Sequence, residues 1–143
     1  MKIANLKTTF LGLLMILFTS TLFTGCGKDD NGGGDDPRKG FPKNVTIRYE
    51  VSSTTNNKAR VSYTNETGED TSLENAALPF SKEVKKKVEF AEIVALVGSI
   101  SVVNNQNTNV TTKIFIDNKL VEDKTSSSNS VSVIGQARYQ FLK

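Results

Sequence analysis

The first residue able to do chemistry is a lone thiol. Cys26 is the only cysteine among 143 residues, and histidine is absent. Without histidine there is no Ser/His/Asp or Cys/His relay, and without a second cysteine there is neither a thiolate metal cage nor an internal disulfide. Cys26 is left with alkylation of its sulfur or a bridge to another molecule. The remaining reactive groups are charged. Lys82, Lys85, Lys86 and Lys87 form the densest cationic cluster, and Lys28, Asp29 and Asp30 lie just after the cysteine. Paired carboxylates can do acid–base work or hold calcium, but no spacing here brings two acids together at catalytic separation. We therefore expect no catalytic residue, no cofactor and no metal, and a protein that is not an enzyme.

The surroundings of Cys26 decide between its two fates. Met1 to Lys7 carries two lysines and no acid, and Thr8 to Phe23 carries no charge. These are the charged and apolar regions of a secretory signal. A permanent membrane span needs about 20 mainly apolar residues. Here the dense apolar stretch is Leu11 to Phe18, and Thr19, Ser20 and Thr21 interrupt the run beyond it. Leu22-Phe23-Thr24-Gly25-Cys26 resembles the bacterial lipobox, which implies a diacylglycerol on the Cys26 sulfur and cleavage just before it. Residues 1–25 are then a discarded signal, and the partner at this end is membrane lipid through N-terminal acylation. Each buried methylene of such an anchor contributes roughly 0.8 kcal/mol. Gly27-Lys28-Asp29-Asp30 resembles the surface-export signal of Bacteroidetes lipoproteins. That implies the outer face of the outer membrane, with its periplasmic face as the alternative.

Residues 26–40 comprise this cysteine and a run, GKDDNGGGDDPRKG, with no aliphatic or aromatic side chain. Nothing in it offsets the entropy of ordering, so it reads as a flexible linker. Residues 41–143 are then one domain, enough for a single core. Lys2 and Lys7 leave with the signal, so 16 basic side chains face 15 acidic ones in the mature chain. That balance excludes a nucleic-acid partner, which demands a dense basic surface.

Val45, Ile47, Tyr49 and Val51 alternate with Thr46, Arg48 and Glu50, the period of a half-buried strand. Ala59, Val61 and Tyr63 repeat it, and the Ser/Thr/Asn run between predicts a hairpin of the two. A third strand spans Thr71 to Leu78 and stops at Pro79, which lacks a ladder donor. From Ser81 to Leu96 the spacing predicts one long bent strand, with a bulge near Ala91 and Glu92 where the apolar parity switches; a helix is the alternative. Ile100 to Val103 prolongs it or stands alone. Val110, Thr112, Ile114 and Ile116 share a face, Asp117-Asn118-Lys119 turns the chain into Leu120 to Glu122, and Lys124 to Ser130 reads as a loop. Val131 to Phe141 closes the domain, with a slip expected at Gly135. The sum is an all-β, immunoglobulin-like antiparallel β-sandwich of about seven strands.

Val45 to Val51, VSYTNETG at Val61 to Gly68, LPFSKEV at Leu78 to Val84 and KIFIDNKLVEDKTSS at Lys113 to Ser127 resemble, in order, the blocks of the small mycobacterial membrane proteins. The resemblance implies an immunoglobulin-like extracytoplasmic domain, here in a Bacteroidetes-type lipoprotein form. This chain departs in carrying Phe80 where tryptophan is frequent and no cysteine in its later half. The function to expect is a membrane-anchored binding or accessory module of the cell envelope, with an envelope protein as partner and an export complex as one such client. A structural envelope lipoprotein and a glycan-acting hydrolase are the alternatives. Lys82, Lys85, Lys86 and Lys87 are the candidate partner contact. Alternation sets Lys85 and Lys87 on one face and Lys86 on the other, and a solvated edge guarded by lysine is the competing explanation.

Overall fold

The computed structural model describes residues 36–102 and 106–142. Eight strands run through these residues: β1 Lys43–Ser52, β2 Lys58–Thr64, β3 Asp70–Ala77, β4 Phe80–Val88, β5 Ile93–Ser101, β6 Thr108–Ile116, β7 Lys119–Ser128 and β8 Ser132–Gln140. They pair antiparallel in two four-stranded sheets, ordered β4-β1-β6-β7 and β3-β2-β5-β8. This is the all-β, immunoglobulin-like sandwich that the alternation predicts.

The core forms because the inward parity of nearly every strand is apolar. Val45, Ile47, Tyr49 and Val51 of β1 meet Val61, Val94, Leu96 and Ile100 of the facing sheet, all buried. Tyr49 keeps its hydroxyl satisfied by donating to the Thr64 carbonyl at 2.9 Å. Its ring lies 5.5 Å from that of Tyr63, which in turn lies 6.1 Å from Phe80. Burial pushes the Tyr49 phenol well above its ordinary pKa. At the middle of the sandwich Gly98 and Gly135 pair across β5 and β8. A Cβ on Gly98 would stand 2.7 Å from Val51 Cγ1 and 3.0 Å from Val110 Cγ2. The missing side chains let the two sheets close there.

Several expectations change. β1 and β2 are not a hairpin: β1 pairs with β4 and β6, whereas β2 pairs with β3 and β5. Both carry an apolar face, and each face covers the other across the core, which a hairpin in one sheet cannot do. The long bent strand is two strands in different sheets. The parity switch at Ala91 and Glu92 is a sheet-to-sheet crossing, with Ala91 at φ 63°. β7 runs on to Ser128 in place of the predicted loop, because an edge strand exposed to water needs no apolar pattern. β8 has no slip, since its inward residues Val133, Gly135 and Ala137 hold one parity against β5.

The predicted turn at Asp117-Asn118 is present. Both residues have positive φ, 49° and 67°, as a two-residue hairpin requires. Residues 36–40, the end of the predicted linker, form hydrogen-bonded turns: Lys39 N donates to Asp36 O at 2.9 Å and Phe41 N to Arg38 O at 3.0 Å. The chain then enters β1 at the end of the sandwich that also carries the β2–β3 loop, the β4–β5 crossing and the β6–β7 turn. That end is the root of whatever lies N-terminal to the domain.

Candidate functional site

β4 is an edge strand of its sheet, and it presents the lysine cluster close to this root. Strand alternation divides the cluster. Val84, Lys86 and Val88 point inward and are buried, while Lys85 and Lys87 point outward and are exposed. Lys82 is exposed further along the strand.

Lys86 is thus set apart from the three other lysines of the candidate partner contact, being buried where they are exposed. Its side chain is 6% exposed and its ammonium lies 3.0 Å from Glu92 Oε1. It also donates to the Glu66 carbonyl at 3.3 Å. Glu92 spends its other oxygen on the backbone, Oε2 accepting from Glu89 N at 2.9 Å. The pair thus ties β4, the β2–β3 loop and the β4–β5 crossing together. Gly68, at φ +92°, passes over it so closely that a Cβ would stand 3.3 Å from Lys86 Nζ.

Lys85 and Lys87 have the opposite circumstances. Their register partners on β1 are Thr46 and Asn44, whose side chains share the outward face. Same-face neighbours on a strand are roughly 6.6 Å apart and cross-strand partners about 5 Å. Two ammonium groups, a hydroxyl and an amide therefore crowd one small patch. With Asp117 they line a shallow concavity of about 310 Å³. Neither lysine has an ion pair or side-chain hydrogen bond among the described residues. The one carboxylate at the rim, Asp117, is oriented by the backbone: its Oδ1 accepts from Thr46 N at 2.8 Å and its own amide donates to Thr46 O at 2.8 Å.

Groups of this kind can hydrogen-bond an oxyanion. The patch has two cationic donors whose charge is unspent, plus neutral groups that can donate or accept. Sequence reasoning found its lysines and missed Asn44, Thr46 and Asp117. The available signal was the polar parity of β1, which is placed beside the lysines only once β1 and β4 are known to pair. It missed Glu92 as well, although a lysine on an apolar parity calls for a buried partner. Among the described residues no three His, Cys, Asp or Glu side chains gather as metal ligands.

Cys26, Lys28, Asp29 and Asp30, the proposed signal and most of the linker lie outside the described residues. Among the described residues no helix is long and apolar enough to cross a membrane. Residues 14–135 match a protein family described as Mycobacterium membrane protein. No curated protein matches the chain.

Proposed function

The chain belongs to the Mycobacterium membrane protein family, and on that premise we propose that it is a non-enzymatic binding or accessory module of the cell envelope, anchored at its N-terminal side. In its fuller form the reading has Met1 to Gly25 removed and Cys26 lipidated. Lys28, Asp29 and Asp30 direct the lipoprotein to the surface of the outer membrane, and the sandwich serves an envelope partner such as an export complex. The observation that carries it is the exposed Lys85 and Lys87 pair, without an ion pair among the described residues, on an edge strand at the end where the chain enters the domain.

Two experiments test it. Intact-mass analysis of membrane-fractionated protein should find the first 25 residues gone and acyl mass on Cys26, and Cys26→Ser should move the protein out of the membrane fraction. An unmodified thiol, or retention of Met1, refutes the lipoprotein form and leaves the apolar run as a membrane segment. Crosslinking in the intact envelope should capture a specific protein that is lost in a Lys85→Gln/Lys87→Gln variant. Lys86 is excluded from that variant because its loss would disturb the fold. Recovery of the same proteins with and without the two lysines would favour a passive structural role.

A further inference from the structure

We propose that the cradle of Lys85, Lys87, Asn44 and Thr46 binds the phosphate of anionic membrane lipid headgroups, docking one corner of the sandwich onto the membrane that anchors the chain. The inference rests on the anchor being N-terminal, and it holds whether that anchor is lipid on Cys26 or the apolar run before it.

Its first support is position. Asn44 and Thr46 are the second and fourth residues of β1, so the cradle stands where the chain arrives from its N-terminal segment. Cys26 is 18 residues before Asn44 in sequence, a span of at most about 65 Å when fully extended and far less as a coil. The cradle therefore lies at the end of the domain where the chain leaves for its N-terminal segment, within the reach of that segment.

Its second support is charge. Lys86 is neutralised by Glu92, and Arg48 by Glu50, but Lys85 and Lys87 are left free on the outward face. Two carboxylates stand near them, Glu83 two residues along the outward face from Lys85 and Asp117 at the rim with one oxygen engaged by Thr46 N, but neither is ion-paired to Lys85 or Lys87. The ligand-binding surface is open and shallow, which suits a headgroup presented by a membrane better than a small molecule that must be enclosed. Two ammonium groups bracket a phosphate as point charges, and the Thr46 hydroxyl and Asn44 amide supply donors to its remaining oxygens.

All eight strands and the buried core fall within residues 43–141, so the sandwich folds without the N-terminal segment. Residues 36–143 can then be assayed for cosedimentation with vesicles of phosphatidylcholine, alone and mixed with phosphatidylglycerol. The anchor plays no part, so failure here is separate from failure of the lipoprotein reading. Binding should require phosphatidylglycerol. Lys85→Gln/Lys87→Gln should weaken it about thirtyfold, while Asp117→Asn, which keeps an acceptor for Thr46 N, should tighten it about fivefold. Lys58→Gln/Arg138→Gln, the same charge loss on the other sheet, should have much the smaller effect. Thermal unfolding should be unchanged in the first variant, since neither lysine has a partner to lose. The proposal is overturned by equal binding to both vesicles, or by equal loss in the two double variants. Displacement from vesicles by millimolar inorganic phosphate also overturns it, because the cradle would then take free phosphate in place of lipid.

Discussion

Glu92→Gln should be among the most damaging single substitutions outside the apolar core. Glutamine keeps the size of the side chain and can still accept from Glu89 N, so the change removes little but charge. It leaves behind the Lys86 ammonium, 6% exposed, with the Glu66 carbonyl as its remaining described acceptor. Breaking a buried ion pair from one side costs about 3–5 kcal/mol. Glu92 is 23% exposed and the pair lies at an end of the sandwich, so the lower figure applies, about 3 kcal/mol. A domain of about 100 residues has a stability of roughly 5–15 kcal/mol, and each lost kcal/mol lowers its Tm by about 4–8 °C. Urea and thermal unfolding followed by circular dichroism should therefore show a folded but weakened protein, melting about 12–24 °C lower. Lys86→Met should cost less, because Glu92 can turn toward water, and Lys86→Met/Glu92→Leu should recover much of the loss by replacing the pair with packing. A Glu92→Gln variant within about 0.5 kcal/mol of the parent would refute the reasoning, for it would mean that Lys86 reaches solvent and the lysine cluster is not divided.

Two further outcomes concern the core. Gly98→Ala should destabilise by about 1–3 kcal/mol in urea titration, since its Cβ would press on Val51 and Val110 from 2.7 and 3.0 Å. The Tyr49 phenol is shifted upward by burial, so its contribution is complete below the unfolded tyrosine pKa of about 10 and is lost as pH rises beyond it. Stability measured across alkaline pH should fall more steeply in the parent than in Tyr49→Phe, which has no phenol to ionise; parallel profiles would contradict the assignment.

Parity is legible in the sequence, and partnership is hidden. Alternation in β1, β2, β6 and β8 places the core residues on the correct faces, because a face must be apolar wherever it meets the opposite sheet. Parity does not say which strand lies alongside. The seven-residue polar run from Ser52 to Lys58 looks like a hairpin turn, yet it carries the chain from one sheet to the other. The same ambiguity suggests one strand with a bulge where Glu89 to Glu92 is a crossing, since inserting a residue and changing sheets both reverse the apolar face. β7 reads short for a different reason: beyond Glu122 its residues are polar and largely exposed, and its ladder to β6 supplies what order it has. The site is half legible on the same grounds. Lys85 and Lys87 can be assigned one face, but Asn44 and Thr46 join them only through a pairing between residues about 40 apart in sequence.

The lysine run also bears on why β4 holds its register. A slip of one residue against β1 would turn Val84 and Val88 outward and carry Lys85 and Lys87 into the core in place of Lys86. Glu92 is placed to neutralise one ammonium at one position, so the slipped strand would bury two cations with a single counter-charge between them. The native register buries one, paired, and leaves the other two in water. A charge triplet that looks from sequence like a uniform surface patch thus serves two purposes at once. Its outer members penalise mispairing of an edge strand that has few apolar residues to define it, and in the native register those same two remain in water, free to meet an anion.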